Sequence, residues 1–222
     1  MKTSRPRHAV AVVSALACAV WLSSLVGPAH AIEAALVPAS AQAPQPAALA
    51  SMSPTEQEAA QRAKAAAKEL AETLMARLKT ALQERGPAGA VEVCNAQAQE
   101  LTTAIGQKHG VNIKRVSERN RNPLNAASEA ETRFIAETQA RKEAGESPDS
   151  LGNVFIEQGA EGRVLVLYKA MVMPELGKVG HGSDIAPDVK AVIDRHYPND
   201  KARGYRPGDV RGLIVVRVPL KA

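Results

Sequence analysis

Near the end of the chain, Gly212-Leu213-Ile214-Val215-Val216-Arg217-Val218 carries one charge among otherwise apolar or small residues. A strand of that composition has no face suited to water, so it belongs in the middle of a sheet. We place it at residues 211–219, with other strands expected on both sides. The stretch before it is rich in turns. Pro174 stops a preceding strand, His181 sits between Gly180 and Gly182, and Pro187 opens a short helix over 184–196. His181 is read as lying in a glycine-rich loop, where small residues leave room for a close approach to the backbone.

The rest of the chain supplies the partners of that strand. Ser53, Pro54 and Glu56 have the spacing of a helix N-cap, first-turn proline and capping box. Ala63, Ala67, Leu70, Leu74, Leu78 and Leu82 recur three or four apart behind them, giving a helix with one apolar stripe over 53–85. Gly86 ends it, and Pro87 restarts a second helix to about Lys108, with Ala90, Cys94, Ala98, Leu101 and Ile105 on its apolar face. The stripe packs on a sheet or forms a contact with a second copy. Residues 111–116 alternate weakly as a strand. Ser128 and Glu131 form a second capping box ahead of a helix bearing Phe134 and Ile135. Residues 154–156 and 163–173 read as a hairpin turning at 159–162. The fold class is therefore α+β: two to four helices around an antiparallel sheet of four or five strands.

The 222 residues suit one domain plus appendages. Residues 1–31 have the form of a secretory signal. Lys2, Arg5 and Arg7 precede an apolar run over 9–26, and Ala29-His30-Ala31 is a small-x-small cleavage site. Residues 32–52 are an Ala/Pro/Gln-rich leader, and the domain spans 53–222. The expected location is periplasmic, with no membrane span once the signal is cleaved. The formal charge of +5 falls to +2 without the first 31 residues, so the basic balance belongs mostly to targeting. With 3% aromatic residues there is no stacking platform, and nucleic acid is not an expected partner. Of two cysteines, Cys18 leaves with the signal and Cys94 remains. A single thiol closes no internal disulfide, so the domain must hold itself by packing.

No hydrolase triad, phosphate loop or Cys/His zinc cluster is present, and the sequence names no reaction. Four segments nevertheless form a recognisable series: Ala90-Val91-Glu92-Val93-Cys94, Arg121-Asn122-Pro123-Leu124-Asn125, Tyr197 through Tyr205, and Gly208-Asp209-Val210-Arg211-Gly212. In that order, over about 53–219, they resemble a bacterial exported domain family of uncharacterised function, some members of which carry c-type haem. The resemblance implies a PAS-like antiparallel sheet with an N-terminal helical hairpin. It also implies haem held by a Cys-x-x-Cys-His-Gly segment, aligned here with Gly177-Lys178-Val179-Gly180-His181-Gly182.

Gly177 and Gly180 stand at both attachment cysteines, so covalent c-type haem is not expected, while non-covalent haem remains open. By the resemblance, His181 and Cys94 are the two axial metal ligands. Tyr197, Tyr205 and Arg211 join them as candidate cofactor-binding residues, with Arg211 or Arg121 meeting a propionate or a small acid. The plain reading stays beside this one: His181 as a loop histidine bonded to backbone, and Cys94 as a core thiol packing like a small hydrophobe. Asn122, Asn125 and Asp200 read as turn residues, His109 as exposed, and Arg211 as a partner for Asp209. Two functions follow. One is a sensing or binding module for haem or another small molecule, acting through a sensor partner or as a carrier. The other is a cofactor-free structural or interaction domain, working as a homodimer or with a partner through its first helix. Cys94 and His181 are expected to face one cavity.

Overall fold

The computed structural model describes residues 51–159 and 162–220; the expected signal over 1–31, most of the expected leader and the tip of the 159–162 turn lie outside them. Helix α1 (Pro54–His109) is broken at Gly86, whose φ of 67° and ψ of −176° are not helical. Strand β1 (Asn112–Val116), helix α2 (Glu129–Glu143), and strands β2 (Gly152–Gly159) and β3 (Gly162–Val172) follow. Helices α3 (Lys178–His181) and α4 (Pro187–His196) precede strand β4 (Val210–Pro219). The four strands form one antiparallel sheet in the order β1-β4-β3-β2. The architecture is α+β, and β4 is central as its composition requires.

Both capping boxes form. Ser53 and Glu56 exchange side-chain and backbone bonds at the start of α1, and Ser128 and Glu131 do so at α2. The two arms of α1, residues 54–85 and 87–109, run antiparallel. Arg77 Nε donates to Gln97 Oε1 at 2.7 Å, and Lys108 Nζ donates to Glu69 Oε1 at 2.8 Å. Gly86 makes the turn, since its positive φ suits a residue without Cβ.

The hairpin covers one face of the sheet and α2 the other. Ala59, Ala63, Ala67 and Leu70 pack on Leu165, Leu167, Ile214 and Val216. Phe134 and Ile135 pack on Val166, Tyr168, Leu213 and Val215 on the opposite face. Both faces of β3 and β4 are thus buried, which explains their unbroken apolar character. The first half of the α1 stripe is spent on the protein's own sheet and is not free for a second copy. No helix of the described residues is long and apolar enough to cross a membrane.

Three local expectations are corrected. His181 closes the short helix α3, not a loop. His109 is largely buried: its Nε2 lies 2.8 Å from Glu69 Oε2, reached because the α1 arms fold back on each other. Asp209 accepts from the Arg206 backbone at 2.7 Å and lies 3.8 Å from Arg206 Nε, so its partner is Arg206, not Arg211.

Candidate functional site

Beside the hairpin–sheet core lies an open space that both layers line. Ala67, Leu74 and Leu78 of α1 become one wall of a cavity of about 1120 Å³. Ligand sites typically run from roughly 300 to 1,000 Å³, so this one is large. Strand residues Leu167 and Ile214 form its floor, and α3 with the segment after α4 closes one side. Cys94, His181, Tyr197, Tyr205 and Arg211, the five residues singled out by sequence, all line it.

Each reaches the cavity by a different route. Cys94 lies on the second arm of α1, half-buried and free. Burial pushes its thiol up, although Arg115, Arg121 and Arg211 favour the thiolate. The thiol is therefore neutral near pH 7 in the protein as it stands. His181 is fixed by a hydrogen bond of 2.9 Å between Nδ1 and the Ala202 carbonyl. A carbonyl only accepts, so Nδ1 carries the proton and Nε2 presents its lone pair. Burial, with the nearby charges of Arg211 and Arg121, holds the imidazole well below its ordinary pKa, so it is neutral.

Arg121 locks this geometry. Its Nε donates to Asp200 Oδ1 at 3.0 Å, and its Nη2 donates to the carbonyls of Gly180 and Ala202. The same guanidinium thus ties α3 to the connector that orients His181. Asp200, its side chain fully buried, also accepts from Arg203 Nε at 2.8 Å and from the Ala202 backbone at 3.0 Å. Burial alone would raise the Asp200 carboxyl, but the Arg121 and Arg203 bonds hold it below its ordinary value. Tyr197 lies 5.9 Å from the Arg121 guanidinium, and the Tyr205 ring carries Arg119 at 4.1 Å.

Arg211 enters by an irregularity. The β3–β4 register shifts between Met171 and Val172. Val210 and Leu213 both pack toward α2 although they are three residues apart. Strict alternation counted back from Leu213 would send Arg211 toward α2 as well. The bulge breaks that parity, and Arg211 lines the cavity on the hairpin side instead. Gly212 is required there, because a Cβ would stand 2.1 Å from the Val116 carbonyl oxygen. Burial and the repulsion of Arg115 push Arg211 down to about 10.

The sequence reading missed Arg115 and Arg119. Arg115 shares a strand face with Ile113, which packs against the hairpin core. An arginine two residues from such a position was the available signal. Among the described residues no group of three or more His, Cys, Asp or Glu side chains is placed to hold a metal ion.

The family model described as Tll0287-like matches residues 52–219. No curated protein matches the chain. Among solved structures the chain is similar to the crystal structure of the cyanobacterial heme-protein Tll0287, at 22% identity and a TM-score of 0.54. The match covers 77% of this chain and 100% of that one. At that identity the likeness carries the fold: a PAS-like antiparallel sheet behind an N-terminal helical hairpin.

Proposed function

Because the chain belongs to the Tll0287-like family, we propose that it is an exported sensing module whose cavity binds haem without covalent attachment. The observation that carries this reading is the state of His181. Its Nδ1 proton is committed to the Ala202 carbonyl and its Nε2 has no partner among the described residues. That is the arrangement by which a protein orients a metal-binding imidazole. The donor set fits the group. His181 supplies a neutral imidazole, and Cys94 supplies a thiol with three arginines favouring its thiolate. The cavity volume suits a large planar ligand, and Leu74, Leu78, Leu167 and Ile214 offer it apolar walls.

His181 and Cys94 would hold the iron, which when bound supplies a one-electron couple tuned by the residues that hold it. Arg121 would hold the imidazole in place through Gly180 and Ala202. Gly177 and Gly180 offer no thiol for a thioether, and Cys94 is the free cysteine of the described residues. Retention would therefore rest on ligation and packing alone.

The test is a haemin titration of the purified protein, followed at the Soret band. We expect a saturable shift that His181→Ala abolishes or moves, and a denaturing gel without haem stain. A shift indifferent to His181→Ala removes that residue from the site. A stained band refutes non-covalent binding.

A further inference from the structure

The arginines of the cavity are not equivalent. Arg121 is spent on Asp200, Gly180 and Ala202. Arg119 rests on the Tyr205 ring. Arg115 and Arg211 have no carboxylate within salt-bridge distance and no side-chain hydrogen bond among the described residues. Arg115 Nε is the buried side-chain donor that lacks any partner. The two guanidiniums repel one another, which is part of what lowers Arg211.

Two neighbouring, largely buried cations without a counter-charge are costly in a folded domain. Native proteins rarely leave such groups unmatched. Nothing among the described residues offsets them. The Cys94 thiol is neutral, as argued above, and Glu72 and Asp149, the carboxylates on the cavity wall, sit on exposed residues. Glu72 already faces Lys68 at 3.8 Å. Arg211 is moreover aimed inward by a bulge that costs ladder pairing and demands glycine next to it.

We propose that Arg115 and Arg211 form a receptor for the carboxylate of a ligand held in this cavity. A guanidinium presents its donors in a planar fork that matches a carboxylate. The apolar wall suits the carbon body of the same molecule, so the ligand is an amphipathic carboxylic acid. Two sources share that chemistry: a propionate of haem, or a free acid with an apolar body. The inference uses the cavity of the proposed function and stands without iron.

The experiment compares three probes on the full purified chain: haemin, haemin dimethyl ester and octanoate. Each is titrated calorimetrically against wild type, Arg115→Gln, Arg211→Gln and Arg211→Lys, with folding checked by circular dichroism. If the source is haem, haemin binds more tightly than its ester, and either glutamine variant erases that advantage by about tenfold or more. If the source is a free acid, octanoate binds and the same variants weaken it by a similar factor. Arg211→Lys keeps the charge and restores part of the loss in either case. Haemin and ester binding equally, with octanoate ignored, overturns the receptor and leaves the haem reading standing. Arginine-dependent octanoate binding with no haemin binding overturns the haem reading and leaves the receptor standing. Carboxylate binding that persists unchanged in both glutamine variants also overturns the receptor.

Discussion

Removing the Asp200 carboxylate tests how the His181 segment is seated. Asp200→Ala deletes the acceptor of Arg121 Nε at 3.0 Å and of Arg203 Nε at 2.8 Å, together with the bond from the Ala202 backbone. The two arginines lose unequally. Arg203, with 29% of its side chain exposed, keeps Asp194 as a partner. Arg121 has 14% of its side chain exposed and no second carboxylate. The substitution therefore leaves one buried cation uncompensated, a change that costs about 3–5 kcal/mol. Against a total stability of about 5–15 kcal/mol, this loss is large. For a domain of this size it lowers Tm by about 6–20 °C. Asp200→Asn keeps an acceptor and should lose less, about 1–3 kcal/mol. Arg121→Gln combined with Asp200→Ala should recover much of the single-variant loss, because the stranded charge is gone. Urea unfolding of wild type, the double variant and the singles Asp200→Ala, Asp200→Asn and Arg121→Gln at pH 7 measures all of this, provided the m value stays constant. A loss below about 1 kcal/mol in Asp200→Ala, or a double variant worse than the sum of the singles, refutes the reasoning.

Gly212→Ala places a Cβ 2.1 Å from the Val116 carbonyl, where ordinary contact begins at 3.4 Å, so β1 must shift away from β4. We expect a loss of about 2–4 kcal/mol, and a wild-type thermal melt would refute the required close approach. Glu131 sets an acid limit. Burial raises its carboxyl, but the bonds from Lys114 and the Ser128 backbone bring it net below its ordinary value. A carboxylate lowered in this way stabilises the fold above its unfolded pKa of about 4.3, and that contribution is lost as pH falls through the lower folded value. The urea midpoint of wild type should therefore exceed that of Glu131→Gln at pH 7 and converge on it near pH 3. A gap independent of pH would show that Glu131 acts by packing alone.

Local chemistry was legible wherever it is written in neighbouring residues. Ser53 with Glu56 and Ser128 with Glu131 marked two helix starts that form as expected, and Gly86 marked the hairpin turn. The two-sided apolar character of 213–216 placed β4 in the centre. What escaped depends on partners distant in sequence. In Lys178-Val179-Gly180-His181-Gly182 two glycines flank the histidine, and the stretch reads as loop. Residues 178–181 are helical in a setting where Arg121, fifty-nine positions before Gly180, holds that glycine by its carbonyl. His109 reads as exposed because its partner Glu69 lies forty residues away on the other arm. Arg115 carries no signal of its own because β1 alternates weakly, and its role depends on Arg211 beside it. The bulge is a mismatch between two strands, so neither strand alone reveals it.

That bulge has an evolutionary consequence. Side chains on a strand change faces with every step, so a one-residue slip transfers a residue from one side of the sheet to the other. Deleting the Val210 codon would restore regular alternation and seat Arg211 in its place opposite Val172 on the α2 face, while Leu213 and the apolar residues after it kept their places. Descendants of such a gene could gain or discard a charged ligand anchor in one heritable event, with the rest of the core unaltered. Relatives that differ by one residue just ahead of this last strand are thus where a change of ligand preference should be sought first.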